Sequence, residues 1–534
     1  MRRVVLPTPT SPKDVPATVL QGGTKRARWF LALVQLLFLI SATVQIDSPF
    51  LSMHNERQNQ TFDVARHVFH EGWSAVLAPK ASFSLPGYEQ QPFTCIQLEF
   101  PFHGLLGWPL AAVAGHERAA VRTVSILFAL ASIQLVYAIL GRWVKPAIAA
   151  AGAALWASSP LVVQLGEVPM PDILCTTGML AAFFFALRGN LPASSGWFLF
   201  SILAKPSVIV FGLPILTVLL VEKGARSLQS FVRVSFLWGI WPLLGLAGWI
   251  LVMRWFSPPT PWTVLLVSKN TPASPVFSLH LWLYVAGCLV PYGAGVLGVL
   301  GIMAGWGKTS GMDHRLRWAI LASNAFYFLL VLRKIHEAQY FLPPLFWILL
   351  MAAPGLEFLA ARLRTGLLWR AGLATAIALH ILVALVFGSD LKASRVPDFA
   401  GIQKARECLP PGVRVIAVYR FYGASAAVWL ERNVYALGDL PTLTAGLGTL
   451  KAAGFTHLCL LEIESRHNLG SKPFHSAVNQ WRRLLGRSPG LGVTDESSKA
   501  MSDVRRYCDD QFAKLFESPH VVVYSLSPTT PRVN

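Results

Sequence analysis

Charge is scarce in this chain: Asp, Glu, Lys and Arg make up 14% of its 534 residues, while hydrophobic residues make up 54%. A soluble core of that length cannot hide so much apolar surface, and with a mean hydropathy of +0.49 the composition describes a polytopic membrane protein. Acids are scarcer than bases, 27 against 46, for a formal net charge of +19. The bases are scattered among hydrophobic spans rather than gathered on one face, which argues against nucleic-acid binding and for a role in setting topology. None of the six cysteines stands in a CxxC pair, which removes a zinc-ribbon or thioredoxin-like reading. Cys175 and Cys288 lie in apolar runs, as small buried hydrophobes do. Cys408, Cys459 and Cys508 leave a disulfide between two of them open if the tail is extracytoplasmic. There is no internal repeat of fixed period and no matched pair of broken helices in two halves, which weakens an inverted-repeat transporter.

What the chain does have is a series of apolar runs. Residues 1–28 are Pro/Thr-rich and end in Lys25, Arg26 and Arg28, directly before WFLALVQLLFLISATVQI (29–46). That run is long enough to span and lacks a convincing cleavage site, so it reads as an uncleaved signal anchor with a cytoplasmic tail, 1–28. Further runs follow at 119–141, 147–166, 171–187, 196–204 with 206–221, 236–256, 281–305, 318–332, 340–361 and 371–388. With the two pieces that meet near Lys205 counted separately, they predict about eleven crossings. Residues 102–115 are short and broken by Gly and Pro, and predict a re-entrant or interfacial element. The alternate loops that this topology puts inside all contain Lys or Arg, as at Arg142 and Lys145, Arg188, and Lys223 to Arg233, in agreement with the positive-inside rule. Arg333 and Lys334 fall on the outer side and run against it, which suggests an anionic headgroup partner.

From Leu391 onward short strand-like and helix-like stretches alternate, GVRVIAVYRF, ASAAVWLE, THLCLLEIE and HVVVYSLS among them. They predict a small extracytoplasmic α/β domain over 391–534, after a membrane domain over 29–390. No GxGxxG or P-loop opens it, so a nucleotide role has little support. Its expected role is to shape or cap an acceptor site.

The polar segment 47–101 is too long for a plain connector. Asp47 follows the first span directly, and Glu56, Arg57 and Asp63 come soon after. Asp47 alone is equally well a helix-end charge in water, and Asp172, in MPDILCT, equally well an ordinary helix-dipole partner. Brought together on one face, two acids with neighbouring cations suit deprotonation of an acceptor hydroxyl. Arg57, Lys80, Lys205 in LAKPS, and Arg333, Lys334 and His336 in RKIHEAQYFLPP offer a basic pocket for a lipid phosphate. Lys205 alone reads equally as a snorkelling lysine. Glu99, Glu337 and Tyr340 complete the set of candidate substrate contacts. His336 and Glu337 lack metal-ligand spacing with other His or Cys, so no cofactor is required, although a divalent ion is compatible with the chemistry. Trp73, Tyr88, Phe93 and Phe100 suit stacking on sugar faces as well as an interfacial belt. Asn59-Gln60-Thr61 matches the N-glycosylation pattern by chance.

The ordered landmarks Ile46-Asp47, HNERQNQTFDVARHVFHEGW, LEFP, RTVSILFALASIQLVYAILGR, MPDILCT, LAKPS and RKIHEAQYFLPPL resemble the GT-C class of membrane glycosyltransferases. Closest in style is the aminoarabinose transferase and protein O-mannosyltransferase group, which uses polyprenyl-phosphate sugars. The resemblance spans roughly 29–390. It implies a catalytic acid at Asp47, a second polar acid at Asp172, and a His and Tyr pair at His336 and Tyr340. The family commonly has an Asp-Glu pair where this chain has Asp47-Ser48, so Glu56 shares or takes over the role of base in one version of the site. The expectation is an inverting glycosyltransferase in a bacterial inner membrane, facing the periplasm or exterior, with a lipid, glycan or protein acceptor and membrane lipids around it, and no nucleic acid. A transporter or flippase of lipid-linked glycans is the alternative.

Overall fold

Proline and glycine set where the apolar runs bend, and those bends shape the membrane body. A computed structural model describes residues 21–44, 46–52, 55–84, 99–225, 227–256, 289–305, 312–331, 338–362, 367–392, 396, 398–418, 424–437, 440–461 and 495–528. Its first helices are α1 (Gln21–Thr43), α2 (Asn55–Glu71), α3 (Trp73–Leu77), α4 (Phe102–Ala114), α5 (Glu117–Leu140), α6 (Pro146–Ser158), α7 (Pro160–Glu167), α8 (Pro171–Leu187), α9 (Leu191–Ala204), α10 (Gly212–Glu222) and α11 (Leu228–Phe256). By length and composition, four helices among the described residues suffice to cross a membrane: Lys25–Thr43, Glu117–Leu140, Leu228–Trp255 and Gln339–Arg362. Shorter apolar helices, α4, α8 and α9 among them, pack beside these. The protein is an integral membrane protein.

The run 147–166, expected to be one span, is broken. α6 and α7 meet at 61° because Ser159 is extended (φ −60°, ψ 128°) and Pro160 opens the next helix. A proline ring excludes the preceding residue from helical geometry and supplies no amide donor. The body packs around Trp156, Phe183, Phe211, Phe346 and Trp347, all buried. In lipid, close packing and hydrogen bonds hold such helices together in place of a hydrophobic driving force; Trp156 Nε1 donates to Ser132 Oγ at 2.8 Å.

The first loop is not an open connector. α2 is buried on several sides, with Gln58, Asn59 and Asp63 no more than 1% exposed. A two-residue strand, β1 (Phe83–Ser84), leaves the same loop and joins β2 (Arg414–Val418), β3 (Asn433–Leu437), β4 (Phe455–Leu461), β5 (Phe512–Ser518) and β6 (Val521–Pro528) in one sheet. The order is β1-β3-β2-β4-β6-β5. β1, β3, β2 and β4 run parallel, and β6 and β5 close the sheet antiparallel. Phe83 stands opposite Val434 in a mixed core with Phe50, Phe62, Val415 and Trp429. No disulfide ties the tail: Cys408, Cys459 and Cys508 are free thiols.

Asp398 opens the helix Phe399–Cys408, accepting from the Gly401 amide at 2.8 Å and the Ser518 hydroxyl at 2.6 Å. Burial raises this carboxyl, but the two hydrogen bonds outweigh burial and hold it below its ordinary value. A lowered carboxyl stabilises the fold above its unfolded pKa and loses that effect as the pH falls. Asp398→Ala is therefore expected to lose about 1 kcal/mol at neutral pH and progressively less below about pH 4, read as the shift in unfolding midpoint in detergent. Phe83→Ala is expected to cost about 3 kcal/mol and to speed proteolytic release of the sheet region from the membrane body; unchanged cleavage would contradict the strand's anchoring role.

Candidate functional site

The α8–α9 hairpin builds the centre of the site. Pro171 stands in the first turn of α8 with Asp172 beside it, where the helix dipole favours a carboxylate. At the far end Gly189 adopts φ +63°, a left-handed turn that favours glycine, and Asn190 caps α9 by accepting from the Ala193 amide at 3.1 Å. The two helices then run back along one another. A Cβ on Gly178 would stand 3.2 Å from Ser201 Cα, so only glycine allows this approach without a shift. Ser201 Oγ fastens the pair by donating to the Cys175 carbonyl at 2.6 Å. α9 stops at Lys205, which is extended (φ −156°) and precedes Pro206 and a 3₁₀ turn, Pro206–Phe211.

These features bring the last residue of the hairpin to its first turn. Lys205 Nζ lies 2.5 Å from Asp172 Oδ1, with the residues 6% and 1% exposed. A second pair stands beside the first: Arg57 Nη2 donates to Glu99 Oε2 at 2.5 Å, and Arg57 Nη1 to Gln60 Oε1 at 2.7 Å. Phe100 N donates to the Leu203 carbonyl at 2.9 Å, which seats Glu99 next to the end of α9. The charges of Arg57 and Glu99 both act on Asp172. Lys205 Nζ lies 4.1 Å from the ring centre of Tyr340, a cation–π contact, and Tyr327 is within electrostatic reach of the same ammonium. Burial works against the Arg57 charge, but Glu99 more than offsets it and raises the guanidinium pKa. A small crevice lined by Thr61, Glu99, Phe102, His103 and Pro171 opens against this group.

Of the residues singled out in the sequence, Arg57, Glu99, Asp172, Lys205 and Tyr340 thus come together. Asp47 stands apart from these pairs, with its side chain 59% exposed and His116 Nδ1 at 3.6 Å. Glu56 Oε2 accepts from the Ser425 amide at 3.0 Å, at the N-terminus of the helix Ala424–Leu430. Lys80 pairs with Glu71 at 2.5 Å. Arg333, Lys334, His336 and Glu337, like Tyr88 and Phe93, lie outside the described residues. Trp73 is exposed, and the Phe100 ring packs at a tilt against Phe102 and Trp249. Asn59 is fully buried and donates to the Phe50 carbonyl and Ser425 Oγ, so its glycosylation pattern is not available to a transferase. No three His, Cys, Asp or Glu side chains converge as a metal site among the described residues.

Sequence reasoning passed over a neighbouring network. Arg122 is buried in α5, Glu167 ends α7, and Lys392 Nζ contacts Glu167 Oε1 at 2.5 Å. The signal was available: Arg122 is a charge inside the apolar run 119–141, and an ionisable group in a membrane span is functional by default.

Comparison with known proteins follows the same lines. A family described as dolichyl-phosphate-mannose-protein mannosyltransferase matches residues 99–262, the stretch that carries Glu99, Asp172 and Lys205. No curated protein matches the chain in sequence. Among solved structures, ArnT from Cupriavidus metallidurans is 13% identical, with 94% of this chain and 98% of that one covered at a TM-score of 0.58. The same protein bound to undecaprenyl phosphate is 14% identical over the same shares, at 0.57. The chain has the GT-C glycosyltransferase fold. The oligosaccharyltransferase of Archaeoglobus fulgidus is similar over a narrower range: 12% identical, 81% of this chain and 67% of that one, TM-score 0.54. The GT-C body is therefore shared among chains that differ at most positions.

A buried ion pair tests the site by its asymmetry. Lys205→Met leaves the Asp172 carboxylate buried without its cation and is expected to destabilise the protein by about 3–5 kcal/mol, whereas Asp172→Asn combined with Lys205→Met recovers most of that loss. Thermal unfolding of the purified protein in detergent reads the difference; a single variant as stable as the double would contradict the pairing.

Proposed function

We propose that this protein is an inverting glycosyltransferase that moves a sugar from a polyprenyl-phosphate carrier to an acceptor at the outer face of a bacterial plasma membrane. The observation that carries the reading is the buried ion pair Asp172–Lys205 with the half-buried pair Arg57–Glu99 beside it, in a GT-C membrane body. Lys205 is a cation held in a poorly solvated place with the half-buried Arg57 close by, where a phosphate that gains charge as its sugar ester breaks is strongly stabilised. The basic residues Arg333, Lys334 and His336 are bracketed in sequence by Tyr327 and Tyr340, both near Lys205, and under this reading are candidates for the same phosphate.

Inversion requires the acceptor oxygen to attack the anomeric carbon from the face opposite the leaving phosphate, so base and phosphate site must be separate groups. Asp47 suits the first role. Its carboxylate is exposed, while that of Asp172 is committed to Lys205 and that of Glu56 to Ser425. The acceptor proton passes to Asp47, the acceptor oxygen bonds to the anomeric carbon, and the bond from that carbon to the phosphate oxygen breaks with its electron pair going to phosphate. The sheet region, tied to α2 and β1 of the loop that bears Asp47, shapes the acceptor side. A transporter or flippase of lipid-linked glycans gains no support from the fold comparisons.

Asp47→Asn is expected to lower transfer by about 10²- to 10⁴-fold while binding of undecaprenyl phosphate is kept. The assay uses membranes from cells that lack the protein and have accumulated the lipid-linked donor, with donor consumption followed by mass spectrometry of lipid extracts. Full transfer by Asp47→Asn would remove Asp47 as the base, and movement of the donor across proteoliposomes without transfer would favour the transporter.

A further inference from the structure

We infer that Arg122 is a positioning residue for Asp47, holding the segment that follows α1 so that the carboxylate faces the acceptor; this rests on the glycosyltransferase reading above. Arg122 Nη2 donates to the Ser48 carbonyl, next to Asp47, at 2.8 Å, and Nη1 to the Glu167 carbonyl at 3.0 Å. The guanidinium lies 4.6 Å from the ring centre of Phe50. One planar group therefore joins the segment after α1, the end of α7 and an aromatic of the same segment, a geometry that a lysine point charge does not reproduce.

No acid is paired directly with this charge among the described residues. Among the described residues no carboxylate oxygen lies within ion-pair distance of the guanidinium, because the Glu167 carboxylate is taken by Lys392. The buried Arg122 Nε has no hydrogen-bond partner there either. A guanidinium only 4% exposed is expensive to keep in a membrane span, and two carbonyl contacts alone are within the reach of neutral donors. Glu167 and, more weakly, Asp47 are the acids whose charges act on it, with Arg118 opposing them. Independent anchors hold the rest of the segment: Gln164 and Gln58 both donate to Ser52 Oγ, at 2.8 and 3.1 Å, and Asn59 Nδ2 to the Phe50 carbonyl at 3.2 Å. Residues 50–52 thus stay in place without Arg122, and what it adds is the placement of Ser48 and Asp47.

The test compares Arg122→Met and Arg122→Lys as purified, monodisperse protein in two measurements. One is binding of undecaprenyl phosphate by native mass spectrometry. The other is steady-state transfer from lipid-linked donor extracted from cells that lack the protein. Arg122→Met is expected to lower kcat by about 100-fold, the scale of a misplaced catalytic group, with the donor KM and undecaprenyl phosphate binding within about twofold of the parent. Arg122→Lys is expected to recover about tenfold of the lost kcat, since it keeps the charge and one of the two contacts. A kcat for Arg122→Met within about threefold of the parent, or a fall in binding that parallels the fall in kcat, overturns the inference. Recovery of both variants only as misfolded protein does so too, because the Phe50 and Ser52 anchors should preserve the fold. If the parent itself neither binds undecaprenyl phosphate nor consumes the donor, the glycosyltransferase reading fails, and that outcome is distinct from the others.

Discussion

The salt bridge between Asp172 and Lys205 is the constraint on which the site depends. Two charges in a membrane body are tolerable only when each has its partner in place, and here each end of one helical hairpin supplies one of them. The hairpin must turn after a fixed length, which Gly189 and Asn190 secure, and its helices must approach closely, which Gly178 permits. It must also stop at Lys205, which Pro206 enforces. Arg57 and Glu99 then dock against an electrostatic centre that already exists, and Tyr340 closes over the ammonium.

Under the proposed function, two tasks are kept apart around that centre. Lys205 is buried between helices and Arg57 is half-buried, while Asp47 is exposed beside a segment held at Ser48, Phe50 and Ser52. The sheet is joined to the same loop through β1 and through Glu56 and Asn59 at the helix Ala424–Leu430. A change in the sheet therefore reaches the first loop through hydrogen bonds and a shared apolar core rather than through a flexible tether.

Much of this was legible in the sequence wherever a residue breaks the pattern around it. Lys205 interrupts an apolar run before a proline, and Asp172 follows one; both stand at helix ends, in contact with each other. The resemblance to GT-C enzymes rested on the same landmarks. Long-range geometry was not legible. Nothing local to Glu56 shows that it meets Ser425, 369 positions away, and nothing in the polar composition of 55–71 shows a buried helix, because its partners lie far off in sequence. The bend at Pro160 was readable from proline chemistry but was masked by the uniform hydrophobicity of 147–166. Arg122 was hidden in the same way, a single charge averaged into an apolar run.

The most direct measurement is an experimental structure of the protein with undecaprenyl phosphate bound in a lipid nanodisc. The account predicts the phosphate within hydrogen-bond distance of Arg57 or Lys205, with the Asp172–Lys205 pair intact or loosened toward the ligand. A phosphate seated elsewhere on the protein, with Arg57–Glu99 and Asp172–Lys205 unchanged, would contradict it.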